Sequence, residues 1–151
     1  MDVSIILVNY NGESVICPCL DAILNSKVEY AYEIIVIDNA SEDNSLSVLK
    51  PYERHIHMIK NHENVGFSKA NNQAILQTKG EFILLLNPDT LLEEDALEKS
   101  VTFMSDNKEA GAVGVQMVDG KGKFLDESKR GVPNFRTSLF KFLGFHRFFP
   151  K

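Results

Sequence analysis

Phe82-Ile83-Leu84-Leu85-Leu86-Asn87-Pro88-Asp89 is the stretch that decides the fold. Five consecutive apolar residues fit a strand buried on both faces, and such strands belong to parallel sheets with helices on either side. Asn87, Pro88 and Asp89 then break the run with turn residues, so that one amide and one carboxylate arrive at the strand's C-terminal tip. Open α/β sheets bind their ligands at that end. Two readings of the tip stay open on these residues alone. Asn87 to Thr90 forms a turn into the next helix, with Thr90 as N-cap and Glu93 completing a capping box. Alternatively, Asp89 ligates a hard cation, since Mg2+ takes most of its oxygens from phosphate and water and only one or two from carboxylates.

The rest of the chain repeats the pattern. Val3 to Val8 is an apolar, β-branched run ending in Asn9-Tyr10-Asn11-Gly12, and Glu33 to Asp38 is a second such run. Between them Val15, Ile16, Cys19, Leu20, Ile23 and Leu24 recur at helical spacing over residues 14–26. A short helix is predicted at 41–50, a weaker strand at Ile56 to Ile59, and further helices at 67–78 and about 91–106. Ala112 to Val118 reads as a fifth strand, with Asp119-Gly120 starting a tight turn back through Lys123, Phe124 and Leu125. This alternation predicts a mainly parallel sheet with helices on both faces.

The loops after strands one, two and four then share a rim that gathers Asn9, Tyr10, Asp38, Asn39, Asn87 and Asp89. Tyr10 offers a face for base stacking or closes the core. Asp38 accepts a hydrogen bond from a base or ribose, or caps the following helix. Gly66-Phe67-Ser68-Lys69 opens a helix, where backbone N–H groups and a lysine suit phosphate oxygens but equally suit an ordinary turn. His55, His57, His62 and His146 are read as non-catalytic, because no ligand set completes a metal site around them. Neither a Gly-x-Gly-x-x-Gly turn after strand one nor a Gly-x-x-x-x-Gly-Lys-Ser/Thr loop is present, which sets aside a dinucleotide fingerprint and a P-loop.

The 151 residues, 44% of them hydrophobic, suit one globular domain. No run approaches the roughly 18 apolar residues of a membrane span, and no signal peptide is apparent at Met1-Asp2-Val3, so the cytosol is the expected location. Cys17 and Cys19 fit neither a disulfide nor a Cys-x-x-Cys pair and are expected as core thiols. Residues 1–126 carry 10 basic and 20 acidic side chains, whereas 127–151 carry 6 basic and 1 acidic, with six of the ten phenylalanines. This basic, aromatic tail is expected to meet the acceptor-side half, a second copy in a homodimer, or the inner membrane surface, with folding back on its own core as the alternative. Nucleic acid is not among the expected partners.

With these residues in view, the sequence resembles the family-2 glycosyltransferases of the GT-A fold. The resemblance rests on Val-Ser-Ile-Ile-Leu-Val-Asn-Tyr-Asn at 3–11, Ile-Val-Ile-Asp-Asn-Ala-Ser at 35–41, Asn-Val-Gly-Phe-Ser-Lys-Ala-Asn-Asn at 64–72 and Leu-Leu-Leu-Asn-Pro-Asp at 84–89. Val118 to Gly122, with Ser128-Lys129-Arg130 and Pro133, is similar to the rhamnosyltransferase-like branch. The resemblance implies a Rossmann-like three-layer sandwich, truncated on its C-terminal side, with a nucleotide-sugar-binding core at 1–126 and an incomplete acceptor-side region at 127–151. It implies Val8 and Tyr10 near the base, Asp38 on the base N–H, Lys69 near the nucleotide, and Asn87 with Asp89 as the Asp-x-Asp-type motif. Asp89 would then ligate Mn2+ or Mg2+. The first position of that motif is Asn rather than Asp, which lowers the charge at the site. The expected function is inverting transfer of a sugar from a nucleotide-diphosphate donor to a glycan or lipid-linked acceptor. The family's catalytic base falls beyond residue 151, so this chain alone is expected to be inactive. The alternatives are a non-catalytic nucleotide-binding or assembly module of the same fold, and a nucleotidyltransferase, whose glycine-rich loop after strand one is absent here.

Overall fold

The computed structural model describes residues 1–125, with one unit over Met1–Gly111 and a second that begins at Ala112. In the first unit, strands β1 (Val3–Asn9), β2 (Tyr32–Asp38), β3 (His57–Lys60) and β4 (Phe82–Leu86) form one sheet in the order β3-β2-β1-β4. All three pairings are parallel, with Val8 opposite Ile37, Asn9 opposite Asp38 and Leu7 opposite Leu86. Helices α1 (Ile16–Leu24), α2 (Ser45–Val48), α3 (Phe67–Ile75) and α4 (Ala96–Asp106) connect or follow the strands. This is the parallel α/β arrangement that the sequence predicts.

Alternation along each strand divides the core into two. Val3, Ile5 and Leu7 of β1 and Ile34 and Val36 of β2 pack with Ile16, Cys19, Leu20 and Ile23 of α1 and Leu97 and Val101 of α4. Ile6, Val8, Ile35 and Ile37 point the other way, onto Ala70 and Ala74 of α3. Those two alanines bring the α3 backbone close to the sheet, and both are fully buried. β1 is buried along its whole length. The chain leaves β1 for β2 and β3 on one side, then returns to place β4 on the other. The gap beyond the C-terminal ends of β1 and β4 is therefore the topological switch point, the place where sheets of this class hold ligands.

Several boundaries differ from the sequence reading. α1 begins at Ile16, which puts Pro18 in the first turn, where its missing N–H has no intrahelical partner to lose. The 41–50 segment is a single α turn followed by a 3-10 turn at Lys50–Tyr52 that contains Pro51. α3 ends at Ile75 rather than residue 78. α4 starts only at Ala96 and Asp95 makes no side-chain cap, so the Thr90/Glu93 capping box is not formed; Thr90 N–H instead closes a turn onto the Asn87 carbonyl at 3.1 Å. β4 is not buried on both faces, because α3 lies over β1 and β2 and leaves Ile83 and Leu85 exposed.

The fifth strand expected at 112–118 is not a strand. Val113, Val115, Met117 and Val118 are exposed, and among the described residues the pairing there is one antiparallel bridge, Val118 to Phe124. The tight turn at Asp119 does form: Asp119 N–H donates to the Lys123 carbonyl at 2.8 Å, and Leu125 N–H to Met117 at 2.9 Å. A strand requires a ladder partner, and apolar alternation alone cannot supply one. The basic tail at 127–151, with Asp126, lies outside the described residues.

Candidate functional site

The rim forms because three loops are tied to one another by side chains. Asn9 and Asp38 end neighbouring strands in register, and Asn9 Nδ2 donates to Asp38 Oδ1 and to Ser41 Oγ, both at 3.1 Å. Ser41 N–H donates to the other carboxylate oxygen, Oδ2, at 3.1 Å. Asn11, in the left-handed region at φ 52°, accepts from Glu42 N–H, and its own N–H donates to Ser41 Oγ. Glu13 and Asp43 cross between the same loops by accepting from Asn44 N–H and Glu13 N–H. The result is a zipper between the β1 and β2 loops that holds Ala40 at φ 63°, a conformation that costs a non-glycine residue about 1–2 kcal/mol.

A second set of amides joins the β2 tip to α3. Asn39 Oδ1 accepts from Asn61 Nδ2 at 3.0 Å and from Val65 N–H at 3.1 Å, while Asn39 Nδ2 donates to Asn64 Oδ1 at 2.8 Å. Asn61 also donates to Gln73 Oε1 at 2.9 Å. Asn64 Oδ1 accepts from Gly66 N–H at 2.9 Å, and Gly66 at φ 84° turns the chain into α3. No side chain caps this helix and no acidic residue occupies its first turn, which leaves its positive end open to an anion.

The proposed site residues fall into two groups within this frame. Tyr10, Lys69, Asn87 and Asp89 are all exposed and present surface to a ligand. Val8 and Asp38 differ: Val8 packs on the α3 side, and Asp38 is only 2% exposed. Two hydrogen bonds leave a carboxylate with acceptor capacity to spare, since it offers about four lone-pair positions. Among the described residues no hydrogen bond or ion pair joins Lys69 to Asp38 or Asp89.

Asn87 and Asp89 sit beside α1. Cys19 Sγ lies 3.8 Å from the Asn87 carbonyl oxygen, and burial, with the Asp89 charge nearby, pushes its thiol up to about 11. Asp89 has no ion-pair partner among the described residues. An accessible, unpaired carboxylate at the switch point fits a single protein ligand to a hard cation whose other oxygens come from phosphate and water. No cluster of three or more metal-binding side chains exists among the described residues. His57, the first residue of β3, hydrogen-bonds Gln77 Oε1 at 2.9 Å, at the end of the strand away from the rim.

From sequence, Asn9 and Asn39 are rim residues able to hold a polar ligand, and Ser41 and Asn64 stand only as members of the motifs at 35–41 and 64–72; in the structure these four, with Asn61 and Gln73, which the sequence did not single out, fix the loops. The signal to follow was the density of short polar side chains after each strand, the residue types that bond nearby backbone.

Comparison with known proteins agrees with this architecture. The model of the family "Glycosyl transferase family 2" matches residues 4–151. A poly(ribitol-phosphate) beta-glucosyltransferase of Bacillus spizizenii is 33% identical over 146 residues, which cover 93% of this chain and 21% of that protein. The structure of Staphylococcus aureus TarS 1-349 in complex with UDP-GlcNAc superposes with a TM-score of 0.69 at 25% identity, over 89% of this chain and 37% of that one. The mannosyltransferase PcManGT of Pyrobaculum calidifontis, in complex with GDP-Man and Mn2+, gives a TM-score of 0.64 at 25% identity, over 74% of this chain and 33% of that one. The chain thus spans well under half the length of each of these proteins. A parallel sheet with its polar rim at the switch point and a family match over nearly the whole sequence lead to one conclusion: the chain belongs to glycosyl transferase family 2.

Proposed function

We propose that this chain binds the nucleotide-diphosphate sugar of an inverting glycosyltransferase, with the sugar destined for a glycan or lipid-linked acceptor. The observation that carries the reading is the convergence of Tyr10, the Asp38 loop, the open α3 N-terminus and Asp89 at the C-terminal ends of parallel strands. The structures of TarS with UDP-GlcNAc and PcManGT with GDP-Man support it as relatives that hold nucleotide sugars.

In this reading the base stacks on Tyr10 beside Val8, and Asp38 accepts from an N–H on its pairing edge. The diphosphate lies toward the α3 N-terminus and Lys69, whose charge and free N–H groups suit phosphate oxygens. Asp89, with Asn87 alongside, is the protein ligand for Mn2+ or Mg2+. A cation held there would supply positive charge to offset that of the diphosphate. The general base that takes the acceptor proton is not assigned to any residue of this chain. A non-catalytic nucleotide-binding module would share the donor pocket and differ only in turnover, which sugar transfer by a longer chain would reveal.

Titration calorimetry with a nucleoside diphosphate, with and without Mn2+, tests the donor site. Binding to the wild-type chain is expected to strengthen with metal, and Asp89→Ala is expected to abolish that enhancement. Equal enhancement in both proteins would remove Asp89 from the site.

A further inference from the structure

We infer that Asn9 and Gly12 together form a positioning device for the Asp38 carboxylate and thereby set the base preference of the donor pocket. The inference rests on Asp38 being the acceptor for the base N–H. Asp38 is a buried carboxylate with no ion-pair partner among the described residues, so its direction depends on its hydrogen bonds. One comes from Ser41 N–H, three residues along the same loop. The other comes from Asn9 Nδ2 on β1, the in-register neighbour strand, and it is this bond that references the carboxylate to the sheet.

The orientation of the Asn9 amide follows from its surroundings. Turned over, its oxygen would face the Asp38 carboxylate, a repulsive contact in a buried site. In the observed orientation both hydrogens point at Asp38 and Ser41, and Oδ1 has no hydrogen-bond partner among the described residues. Buried polar atoms left in this state are few in native proteins, and each calls for a cause. Here the cause is that the donor half of the amide holds the carboxylate.

Gly12 gives that oxygen its space. A Cβ at position 12 would lie 2.2 Å from Asn9 Oδ1 and 3.4 Å from its Cγ. The Gly12 backbone is outside the left-handed region, so its conformation does not call for glycine, but the contact with Asn9 does. The Gly12 carbonyl accepts from Val15 N–H and Ile16 N–H, both at 3.0 Å, at the entry to α1. The backbone is thus pinned, and a side chain at 12 would displace the amide rather than the loop.

The test compares the full chain with Asn9→Ala, Gly12→Ala and the double variant, titrated with UDP, CDP and inorganic pyrophosphate in Mn2+. Uracil presents an N–H where cytosine presents an unprotonated nitrogen, so the wild type is expected to prefer UDP. Each single variant is expected to lose about tenfold of that preference, the scale of a hydrogen bond to a charged group. Pyrophosphate affinity should stay unchanged. The double variant should be no worse than Asn9→Ala, because removing the amide vacates the space that a methyl group at position 12 needs. Gly12→Ala keeps every polar group and carries the test if Asn9→Ala fails to fold. An undiminished preference in the single variants, additive losses, or an equal loss of pyrophosphate binding would overturn the device and leave the donor pocket standing. A wild type indifferent to UDP and CDP would overturn the base reading and this inference with it.

Discussion

Asp38 shows how far a residue's role depends on what surrounds it. From sequence it is a polar residue at a strand end, able to cap a helix or meet a ligand; the structure buries it and engages both its oxygens. The two cysteines differ in the same way. Cys19 is 1% exposed, and burial and then the Asp89 charge raise its thiol, whereas Cys17 is only partly buried and bonds the Val48 carbonyl at 3.5 Å. Thiolate is the reactive form, and it must also be reached by the reagent. Alkylation of the native chain at pH 8 is therefore expected to modify Cys17 first and Cys19 only on unfolding. Mass spectrometry of the partly labelled protein checks the order, and equal labelling of both would contradict the packing of α1 against the β4 turn.

Among the elements, the sheet is fixed at the end opposite the rim by a polar clamp that the sequence did not announce. Ser4 Oγ donates to Glu33 Oε1 at 2.7 Å and accepts from Gly80 N–H at 2.9 Å and Lys79 N–H at 3.2 Å, tying β1, β2 and the turn before β4 together. Gly80 is pressed against β1 so closely that a Cβ would fall 2.5 Å from the Ser4 nitrogen and 2.6 Å from the Val3 carbonyl carbon. Gly80→Ala is expected to destabilise by about 1–3 kcal/mol in urea unfolding, since backbone rather than a flexible side chain must give way. Burial pushes the Glu33 carboxyl up, but the Ser4 hydroxyl, the Lys79 N–H and the Lys79 and His57 charges outweigh it and hold it below its ordinary 4.5. A depressed folded value means that the clamp's contribution is complete above that pH and is lost as pH falls through the lower folded value. Ser4→Ala should therefore flatten the acid limb of stability, and an unchanged limb would show that Glu33 is not coupled to it.

The cores of the strands and the identity of the rim loops were legible in the sequence because apolar runs broken by turn residues mark the strands and their ends, whether both faces are buried, as in β1, or one is left exposed, as in β4. β1, β2 and β4 fall within about one residue of their expected limits. What was not legible depends on partners distant in sequence. Ala112 to Val118 has a strand's composition but, among the described residues, one bridge in place of a ladder, and Ile83 and Leu85 look like core yet lie beyond the reach of α3. The roles of Asn9 and Gly12 required knowing that residue 9 pairs with residue 38.

At the scale of the whole molecule, the proposed function puts a nucleotide sugar on the switch-point rim. Ligand bound there should slow exchange in the segments that frame it and leave the far end of the sheet unaffected. Hydrogen exchange read by mass spectrometry, on the full chain with saturating UDP and Mn2+, measures this directly. New protection is expected in peptides spanning residues 9–12, 38–41, 64–69 and 87–90. Protection absent from these four segments, or confined to the groove lined by Leu46, Met58 and Lys60, would contradict it.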